Sequence, residues 1–381
     1  MNPNVPGLMI RRERLRRQWS QEGLCRGICA VSYLSKIEQG KAEASPEVLR
    51  LLLERLDIVW HGEVAEEAAR CTEDCYDGIF SGDQAAFQSA CQKLDEHWEV
   101  YANGPSMLDA LLLRSWDRRE VDPLLEEFKL DLRQKTLLLI LQNHCEEAAS
   151  RNPLPFTLFC SGISLYECGR YPSAIEALQQ CYDMAAREGY VHLMAESRLY
   201  LGNCYSNLLD YDHMLLHYRV AERLSKALGD GERLESIHYN IAATALELGR
   251  VPEACDGLRQ LRHKSAMTCH KLAVCCEKLG NAEEALSWLD QAESTESEYP
   301  DPEMTRRICG LVRYRLEHTD YLRMPEYGTM LLETFRIMRE QLPHGYAAFH
   351  LPWVLEWYRA TRQYKQALAL MEDFPSSTRF F

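Results

Sequence analysis

The sequence of 381 residues predicts an all-α protein in which a small helical domain precedes a long solenoid of helical pairs. Three observations lead to this fold class. Residues 19–40 have the residue order of a helix-turn-helix motif, apolar residues recur at helical spacing along most of the chain, and four segments beyond residue 156 align with one another. The composition agrees, because 46% of the residues are hydrophobic, which is ample for a buried core.

The first helix is predicted between Leu8 and Trp19. Leu8, Leu15 and Trp19 fall at helical spacing and are expected on its buried side. Basic residues surround them, which suits a helix whose other side faces phosphate groups. These basic residues are Arg11, Arg12, Arg14, Arg16 and Arg17.

A short second helix is expected after Ser20, whose hydroxyl is available to cap it, with Leu24 turned inward. Gly27 interrupts the pattern, and a third amphipathic helix follows with Leu34 and Ile37 on its inner side. This third helix is the candidate recognition helix.

Gly40 stands where the third helix ends, and Ser45 with Pro46 opens a fourth helix rich in leucine. The result is a compact helical domain of about sixty residues, near the lower size limit for independent folding.

Over about residues 7–58 the chain resembles the XRE/Cro-repressor class of helix-turn-helix domains. The likeness is carried by Ser20 and Gln21 at the start of the second helix and by the sequence LSKIEQG at residues 34–40. The resemblance implies a domain of five helices that binds double-stranded DNA. It also implies base contacts from Val31, Ser32 and Lys36 in the major groove, and phosphate contacts from Gln21, Tyr33 and Lys41.

Arg14 and Glu38 fall where the XRE/Cro class has a structural ion pair between its first and third helices. Plainer interpretations stay open beside the functional one. In the plainer interpretation, the segment is an ordinary helical hairpin with a basic face, and Tyr33 packs on its own domain. Val31 offers at most a methyl contact to thymine.

The charge divides the chain into two unlike parts. Residues 1–60 carry a balance of +3, whereas the remaining residues carry −17. A strongly acidic body disfavours contact with nucleic acid, so the DNA-binding charge is confined to the N-terminal end. We therefore expect a DNA-binding domain at 1–62 and a repeat domain at 63–381 with a different partner.

The fifteen cysteines are scattered and show no Cys-x-x-Cys spacing, which predicts buried free thiols rather than a disulfide framework or a metal site. Free thiols imply a reducing cytoplasm. The sequence has no basic and apolar leader at Met1 and no apolar run of transmembrane length, so a soluble cytoplasmic protein without a membrane partner is expected.

An internal repeat begins beyond residue 156, with steps of 40, 40 and 31 residues between equivalent positions. Small residues recur in one column, where two helices must approach closely, and larger ones in another, where a gap needs filling. The small column is Gly162, Gly202, Ala242 and Ala273; the larger one is Leu178, Tyr218, Leu258 and Leu289; a third is Ala174, Met214, Ala254 and Ala285.

Gly169, Gly249 and Gly280 stand where the first helix of a pair ends. The pattern resembles the tetratricopeptide repeat, a helix-turn-helix unit of about 34 residues, and implies a right-handed helical solenoid. Weaker copies are expected after Gly82, after Thr319 and near the C-terminus, where Tyr364 and Ala367 match Tyr171 and Ala174, while residues 107–151 suit irregular pairs.

A solenoid of helical pairs has a concave face lined by the first helix of each pair, and such a face binds extended peptides or partner helices. Side-chain amides on this face can hold a ligand backbone by donating to a C=O and accepting from an N–H. Two basic residues extend the line and can bind a carboxylate. The candidate peptide-binding residues are Asn203, Asn207, Asn240, His270 and Lys271, with inter-helix or solvated polar residues as the plainer interpretation.

An XRE-type domain followed by tetratricopeptide-like repeats resembles the RRNPP family of Gram-positive quorum-sensing regulators, the group that contains Rgg, PlcR, PrgX, NprR and the Rap phosphatases. The resemblance covers nearly the whole chain. It implies a cytoplasmic homodimer that binds a short signalling peptide on the concave face and thereby gains or loses its operator geometry.

Enzymatic function finds little support in the sequence. His213 and His217 share one helix face but lack the glutamate of the His-Glu-x-x-His zinc motif, and there is no phosphate-binding loop or nucleophile elbow. No cofactor and no metal are expected. Two alternatives stay open, a Rap-like regulator that acts on a partner protein such as a response regulator, and an adaptor whose repeats hold a partner protein.

Overall fold

The computed structural model describes residues 5–297, 299, 301 and 303–374. In these ranges all regular secondary structure is helical, with 22 α-helices and two short 3₁₀ turns at Pro123–Glu127 and Tyr321–Arg323. The chain divides into two compact units, residues 1–160 and 161–381. The all-α prediction is confirmed, and the domain boundary near residue 62 stays a prediction.

Four helices of the N-terminal unit lie within residues 5–62, and the fifth begins at Ala65. The first four are α1 (Val5–Arg16), α2 (Gln21–Cys25), α3 (Val31–Glu38) and α4 (Pro46–Arg55). The unit continues with α5 (Ala65–Ser81), α6 (Gln84–Glu96), α7 (Trp98–Tyr101), α8 (Met107–Arg118), α9 (Leu132–Leu141) and α10 (Cys145–Arg151).

The predicted boundaries of the short helices are confirmed by their caps. The Ser20 hydroxyl accepts the backbone N–H of Gly23 at 3.0 Å, and the Ser45 hydroxyl accepts that of Val48 at 3.4 Å. These bonds satisfy backbone donors that the first turn of a helix leaves without partners. Gly27 and Gly40 follow α2 and α3 with positive φ angles of 77° and 66°.

The core of the first four helices contains Leu8, Leu24, Leu34 and Ile37, as the spacing predicts. The prediction of burial is wrong for two residues, since Leu15 and Trp19 are each 38% exposed. Helix α1 ends at Arg16 and the chain turns at Gln18, whose φ is 57°. Trp19 therefore lies beyond the helix, and the periodicity from Leu8 to Trp19 does not describe one face.

A helix pair follows at α5 and α6, separated by Gly82 with a φ of 74°. This confirms the weak repeat copy predicted after Gly82. Residues 107–151 then form α8, the first 3₁₀ turn, α9 and α10, which is the irregular arrangement that the sequence indicates.

The C-terminal unit is built from consecutive helices that pair in chain order. The first of them, α11, contains the division between the two units. They are α11 (Pro155–Glu167), α12 (Tyr171–Glu188), α13 (Val191–Asn207), α14 (Tyr211–Leu228), α15 (Gly231–Glu247), α16 (Val251–Gln260), α17 (Ala266–Lys278), α18 (Ala282–Ser294), α19 (Glu303–Glu317), α20 (Pro325–Gln341), α21 (His344–Ala360) and α22 (Tyr364–Asp373).

The two columns of small and large residues meet inside the pairs. A Cβ placed on Gly162 would lie 2.7 Å from Cγ of Leu178, and one placed on Gly202 would overlap the ring of Tyr218. Leu178 and Tyr218 are almost fully buried. The repeat register is therefore confirmed in these two pairs, since the small residue admits the large residue 16 positions later.

Between the helices of a pair, the chain turns through one residue in the left-handed region. Gly169, Gly249 and Gly280 take φ angles of 74°, 77° and 79°, which glycine adopts without steric cost. In the second pair the same position is Leu209, with a φ of 57°. The turn is thus imposed by the packing of the pair even where no glycine assists it.

Tyr364 matches Tyr171 in the sequence but differs from it in environment. Tyr171 is 1% exposed and lies between helices, whereas Tyr364 is 61% exposed on α22, a helix without buried residues. The helix itself is present at Tyr364–Asp373, so the spacing predicts the helix but not its burial.

Candidate functional sites

The exposed surface of α3 contains the residues predicted to contact bases. Leu34 and Ile37 bury the inner side of this helix. Val31 is 43% exposed at its first position, and Ser32 and Lys36 are also exposed. Because Ser32 and Lys36 are four residues apart on a helix, they share one side, next to Val31.

The ion pair predicted between the first and third helices is confirmed. Nε and Nη2 of Arg14 donate to the two carboxylate oxygens of Glu38 at 2.6 and 2.8 Å. Gln21 Nε2 donates to the same carboxylate at 2.7 Å. Both charged residues are buried, so the pairing offsets the loss of their hydration. Gln21 thus joins α2 to this pair, and its phosphate contact stays a prediction.

Tyr33 has hydrogen bonds within its own domain. Its hydroxyl donates to the backbone O of Glu43 at 2.9 Å and accepts the backbone N–H of Ser45 at 3.3 Å. These bonds fix the loop between α3 and α4. Lys41, in this loop, is exposed. Phosphate contacts from Tyr33 and Lys41 stay predictions.

The arginines of α1 do not form the free phosphate-facing side that the sequence suggests. Arg16 and Arg17 donate to Glu13 at 2.6 Å, and these bonds, the one from Arg16 first, lower the pKa of Glu13. Arg12 donates to the backbone O of Ala102 at 2.9 Å and to Asn103 Oδ1 at 2.8 Å. The sequence did indicate these ion pairs, because Glu13 lies three residues before Arg16 and four before Arg17, the spacing at which helical side chains meet.

A second site lies in the C-terminal unit, where a cavity of 240 Å³ opens between α13, α15, α17 and α21. All the residues predicted to bind a peptide line this cavity. They are Asn203 and Asn207 on α13, Asn240 on α15, and His270 and Lys271 on α17. The repeat register explains this, since it places equivalent positions of the first helices side by side.

The amides in the cavity are oriented by a hydrogen-bond network. Asn203 Oδ1 accepts from the Tyr218 hydroxyl at 2.7 Å and from Asn240 Nδ2 at 3.0 Å. Asn207 Nδ2 donates to the backbone O of Asn203 at 3.0 Å and to the Tyr166 hydroxyl at 3.2 Å. Burial raises the pKa of Tyr218 well above its ordinary value, so its hydroxyl keeps the proton that it donates.

The network uses only half of the hydrogen-bonding capacity of two amides. Among the described residues, Asn203 Nδ2 and Asn240 Oδ1 have no hydrogen-bond partner, and both side chains are half-buried at the cavity. One donor on Asn203 and one acceptor on Asn240 therefore remain at this cavity. This is the complement of the C=O and N–H of a peptide backbone.

His270 and Lys271 differ in charge. Burial lowers the pKa of His270 well below its ordinary value, so the imidazole is neutral at pH 7. Burial also lowers the pKa of Lys271, to about 8, which leaves the ammonium mostly protonated at pH 7. Lys271 Nζ lies 3.5 Å from the ring centroid of Phe349. The attraction for a carboxylate therefore comes from Lys271, whereas His270 offers only a hydrogen bond.

Sequence reasoning missed the wall of the cavity that α21 supplies. Gly345, Tyr346, Phe349 and His350 line it from there. The start of α21 is held by a hydrogen bond of 3.0 Å between the Tyr171 hydroxyl and Nδ1 of His344. Since α21 belongs to none of the aligned repeats, only the aromatic density of residues 344–358 marked it in the sequence.

His213 and His217 are held by neighbours within the C-terminal unit. Both rings stack on Tyr205 with centroids 5.2 Å away. Burial, followed by the nearby charge of Arg198, lowers the pKa of His217 to about 4. Within the described residues, no group of three or more His, Cys, Asp or Glu side chains is placed to hold a metal ion.

All fifteen cysteines are free thiols and eleven of them are buried, as the sequence predicts. Over the residues that the structure describes, no helix combines the length and the apolar character needed to cross a bilayer.

The helix-turn-helix family model matches residues 10–59. Residues 10–59 are a helix-turn-helix domain of the XRE type. This helix-turn-helix domain contains α2, α3, α4 and most of α1, together with the Arg14–Glu38 pair. The prediction of a DNA-binding domain at this end of the chain is confirmed.

Solved structures similar to this chain include a Rap protein complexed with Competence and Sporulation Factor, at 14% identity and a TM-score of 0.63 over 81% of this chain and 97% of that one. Another is Bacillus thuringiensis PlcR in complex with the peptide PapR7 and DNA, at 15% identity and a TM-score of 0.32 over 76% of this chain and 93% of that one. A third is the apo form of ComR from Streptococcus vestibularis, at 14% identity and a TM-score of 0.25 over 83% of this chain and 98% of that one. No curated protein matches the sequence. The likeness to Rap shows the fold, so the predicted helical-repeat architecture is confirmed.

Proposed function

We propose that this protein is a transcriptional regulator whose repeats bind a short signalling peptide, and that the peptide alters operator binding by a homodimer. The single observation that carries the proposal is the convergence of Asn203, Asn207, Asn240, His270 and Lys271 on one cavity, in a chain that also has a helix-turn-helix domain. The Rap protein of similar fold was solved in complex with Competence and Sporulation Factor, which supports ligand binding by such repeats.

The chemistry of the cavity suits a peptide backbone. Asn203 Nδ2 can donate to a peptide C=O while Asn240 Oδ1 accepts a peptide N–H, and neither contact depends on the side chains of the ligand. Lys271 at the same cavity supplies a positive charge for a carboxylate, such as a peptide C-terminus. An extended ligand therefore finds both backbone and charge partners here.

The volume limits how much of the ligand the cavity itself holds. Its 240 Å³ lies slightly below the range of about 300–1,000 Å³ typical of small-molecule pockets. We infer that the cavity takes part of a short peptide and that the rest extends along the neighbouring first helices. Binding of the whole peptide then changes the spacing of these helices, because it favours the solenoid shape with which it makes the better contacts.

Operator binding is sensitive to such a change if two helix-turn-helix domains act together. A dimer reads two half-sites about 34 Å apart, one turn of DNA, or a multiple of this distance. A small change in the shape of the repeats displaces one recognition helix from its half-site. The peptide needs no contact with DNA to have this effect.

The test is a DNA shift assay on the promoter nearest the gene of this protein, with and without small peptides encoded beside that gene, at stated ionic strength. We expect specific binding that one peptide changes. Specific binding that no neighbouring peptide changes contradicts peptide sensing, and absence of specific binding favours the alternatives, a Rap-like regulator or an adaptor acting on a partner protein.

Two substitutions separate the roles of the two sites. Lys36→Ala is expected to weaken specific DNA binding without changing peptide affinity, and Asn203→Ala to weaken the peptide response without changing DNA affinity. The readouts are the shift assay and titration calorimetry of the active peptide. If each variant impairs both functions equally, the assignment of roles is wrong.

A further inference from the structure

His350 on α21 has its two ring nitrogens in different environments. Nδ1 lies 3.0 Å from the backbone O of Tyr346. A carbonyl oxygen only accepts, so Nδ1 carries the proton and donates. In the neutral ring Nε2 is then a bare acceptor. Burial supports the neutral form, since it lowers the pKa of His350 to about 3.

The acceptor on His350 has no partner. Within the described residues, Nε2 of His350 is buried without a hydrogen bond, and so is Nε2 of His270. The two rings lie side by side with centroids 5.9 Å apart and an interplanar angle of 24°, and both residues line the cavity. Buried polar atoms without partners cost free energy, and native proteins rarely keep them without a reason.

The requirements of the two rings are complementary. His350 Nε2 needs a donor, because its tautomer is set by Tyr346. His270 is also neutral, and no contact of the described residues fixes its tautomer, so its Nε2 is free to carry the proton and to donate. A hydroxyl group satisfies both at once, since its oxygen donates one hydrogen bond and accepts another. A carboxylate or an amide carbonyl has no proton for His350.

The surroundings of the two imidazoles are aromatic. The ring of Phe349 lies 5.0 Å from that of His350 and 6.4 Å from that of His270, centroid to centroid. Met267, Tyr299 and Tyr346 line the same cavity. Such walls favour a flat apolar body over the short chain of serine or threonine. The two histidines and the aromatic walls together describe a group with an apolar ring and a hydroxyl.

We propose that the His270 and His350 end of the cavity is a subsite for a phenol side chain, the tyrosine of a peptide ligand, whose hydroxyl donates to His350 Nε2 and accepts from His270. The inference rests on the proposed function, because it takes the cavity as the peptide site. It goes further in naming the residue type that the peptide carries there. It also explains why two neutral histidines are buried at a cavity that Lys271 lines as well.

The test uses matched small probes and the full-length protein. N-acetyl-tyrosinamide and N-acetyl-phenylalaninamide differ only in the hydroxyl, and N-acetyl-tryptophanamide offers a donor without an acceptor. We expect the tyrosine probe to bind roughly tenfold more tightly than the phenylalanine probe, because only its hydroxyl forms the buried hydrogen bond. The measurement is ¹⁵N NMR of histidine-labelled protein, in which the Nε2 resonances of two histidines shift on titration.

Variants assign the effect to His350. His350→Gln keeps an acceptor and is expected to retain part of the preference for the tyrosine probe, whereas His350→Phe keeps the aromatic volume and removes it. His217→Phe is the matched control, because His217 is a buried neutral histidine that does not line the cavity. If His350→Phe does not fold, the comparison of probes on the unmodified protein still decides.

Several outcomes overturn the proposal. Equal binding of the tyrosine and phenylalanine probes means that water or nothing satisfies the two imidazoles, and tighter binding of the tryptophan probe means that the subsite takes a donor alone. No detectable binding of the tyrosine probe up to about 20 mM, an affinity of only about 2 kcal/mol, also contradicts it. If a peptide changes DNA binding in the shift assay but the protein does not prefer the tyrosine probe, the subsite is wrong and the proposed function stands. If the protein prefers the tyrosine probe but no peptide changes DNA binding, the proposed function is wrong and the subsite for a phenol group stands.

Discussion

At the scale of single residues, the basic side chains of the helix-turn-helix domain serve two different purposes. Arg12, Arg14 and Arg17 are bound by groups of their own unit. Lys36 is exposed on α3. Fewer basic side chains are therefore free for the proposed operator contact than the count of basic residues suggests, and Lys36 on α3 is one that remains exposed.

Lys36→Ala is expected to lower affinity for the specific operator about tenfold or more, because a contact to a base edge contributes roughly 1–3 kcal/mol. Lys41→Ala is the control, since loss of a phosphate contact weakens specific and nonspecific binding alike and reduces the salt slope by about one. The shift assay at several salt concentrations measures both. Equal losses on operator and random DNA for Lys36→Ala would contradict its assignment to a base.

Arg14→Ala is expected to destabilise the helix-turn-helix domain by about 3–5 kcal/mol, because it leaves the Glu38 carboxylate buried without its ion-pair partner. Arg50→Ala is the matched control. It removes an exposed pair with Glu54 four residues away, which contributes less than about 1 kcal/mol. Urea unfolding followed by circular dichroism measures both, and similar losses for the two variants would count against the argument.

At the scale of helices, the close approach of α13 to α14 depends on the absence of a side chain at position 202. Gly202→Ala places a methyl group in the ring of buried Tyr218. Overpacking of this kind costs about 1–3 kcal/mol, and it separates the helices that orient Asn203. Gly231→Ala is the control, because a Cβ there meets open space at the start of α15. Thermal unfolding of the two variants, with peptide binding as a second readout, tests the prediction.

At the scale of the whole molecule, stability depends on buried neutral histidines. The folded-state pKa values of His217 and His350 lie near 4 and 3, below the ordinary value of 6.5. Between these values the unfolded chain binds protons that the folded chain does not, so stability is complete above pH 6.5 and is lost as the pH falls toward 4. We expect a loss of a few kcal/mol over this interval, which His350→Phe reduces. The midpoints of urea unfolding, measured from pH 7.5 to 4.5, report this loss. An identical dependence of the midpoint on pH in the unmodified protein and in His350→Phe would contradict the prediction.

Operator geometry supplies a second prediction at this scale. If the protein binds as a homodimer, insertion of five base pairs between half-sites turns one of them to the opposite side of the helix and abolishes cooperative binding. Insertion of about ten base pairs returns both half-sites to the same side of the DNA but increases the distance between them. Footprinting on both operators distinguishes these cases, and equal occupancy of all spacings would indicate independent binding of single chains.

The sequence by itself determined the helices, their caps and the repeat register. These features depend on residues close to each other in the chain, three positions apart at the Ser20 cap and 16 apart for Gly202 and Tyr218 of one pair. The five peptide-site candidates also followed from the register, because regular pairs place equivalent positions on one face. Local spacing therefore carried most of the fold and part of the site.

Only the tertiary structure decided which polar groups are already occupied. Asn240 donates a hydrogen bond to Asn203, 37 residues away in the sequence, and Arg12 donates one to Asn103, 91 residues away. It also decided that α21 closes the cavity and that His270 is neutral. Such contacts follow from how the helices stack, and desolvation depends on everything that surrounds a group. No spacing along the chain encodes either, because both are properties of atoms brought together from distant segments.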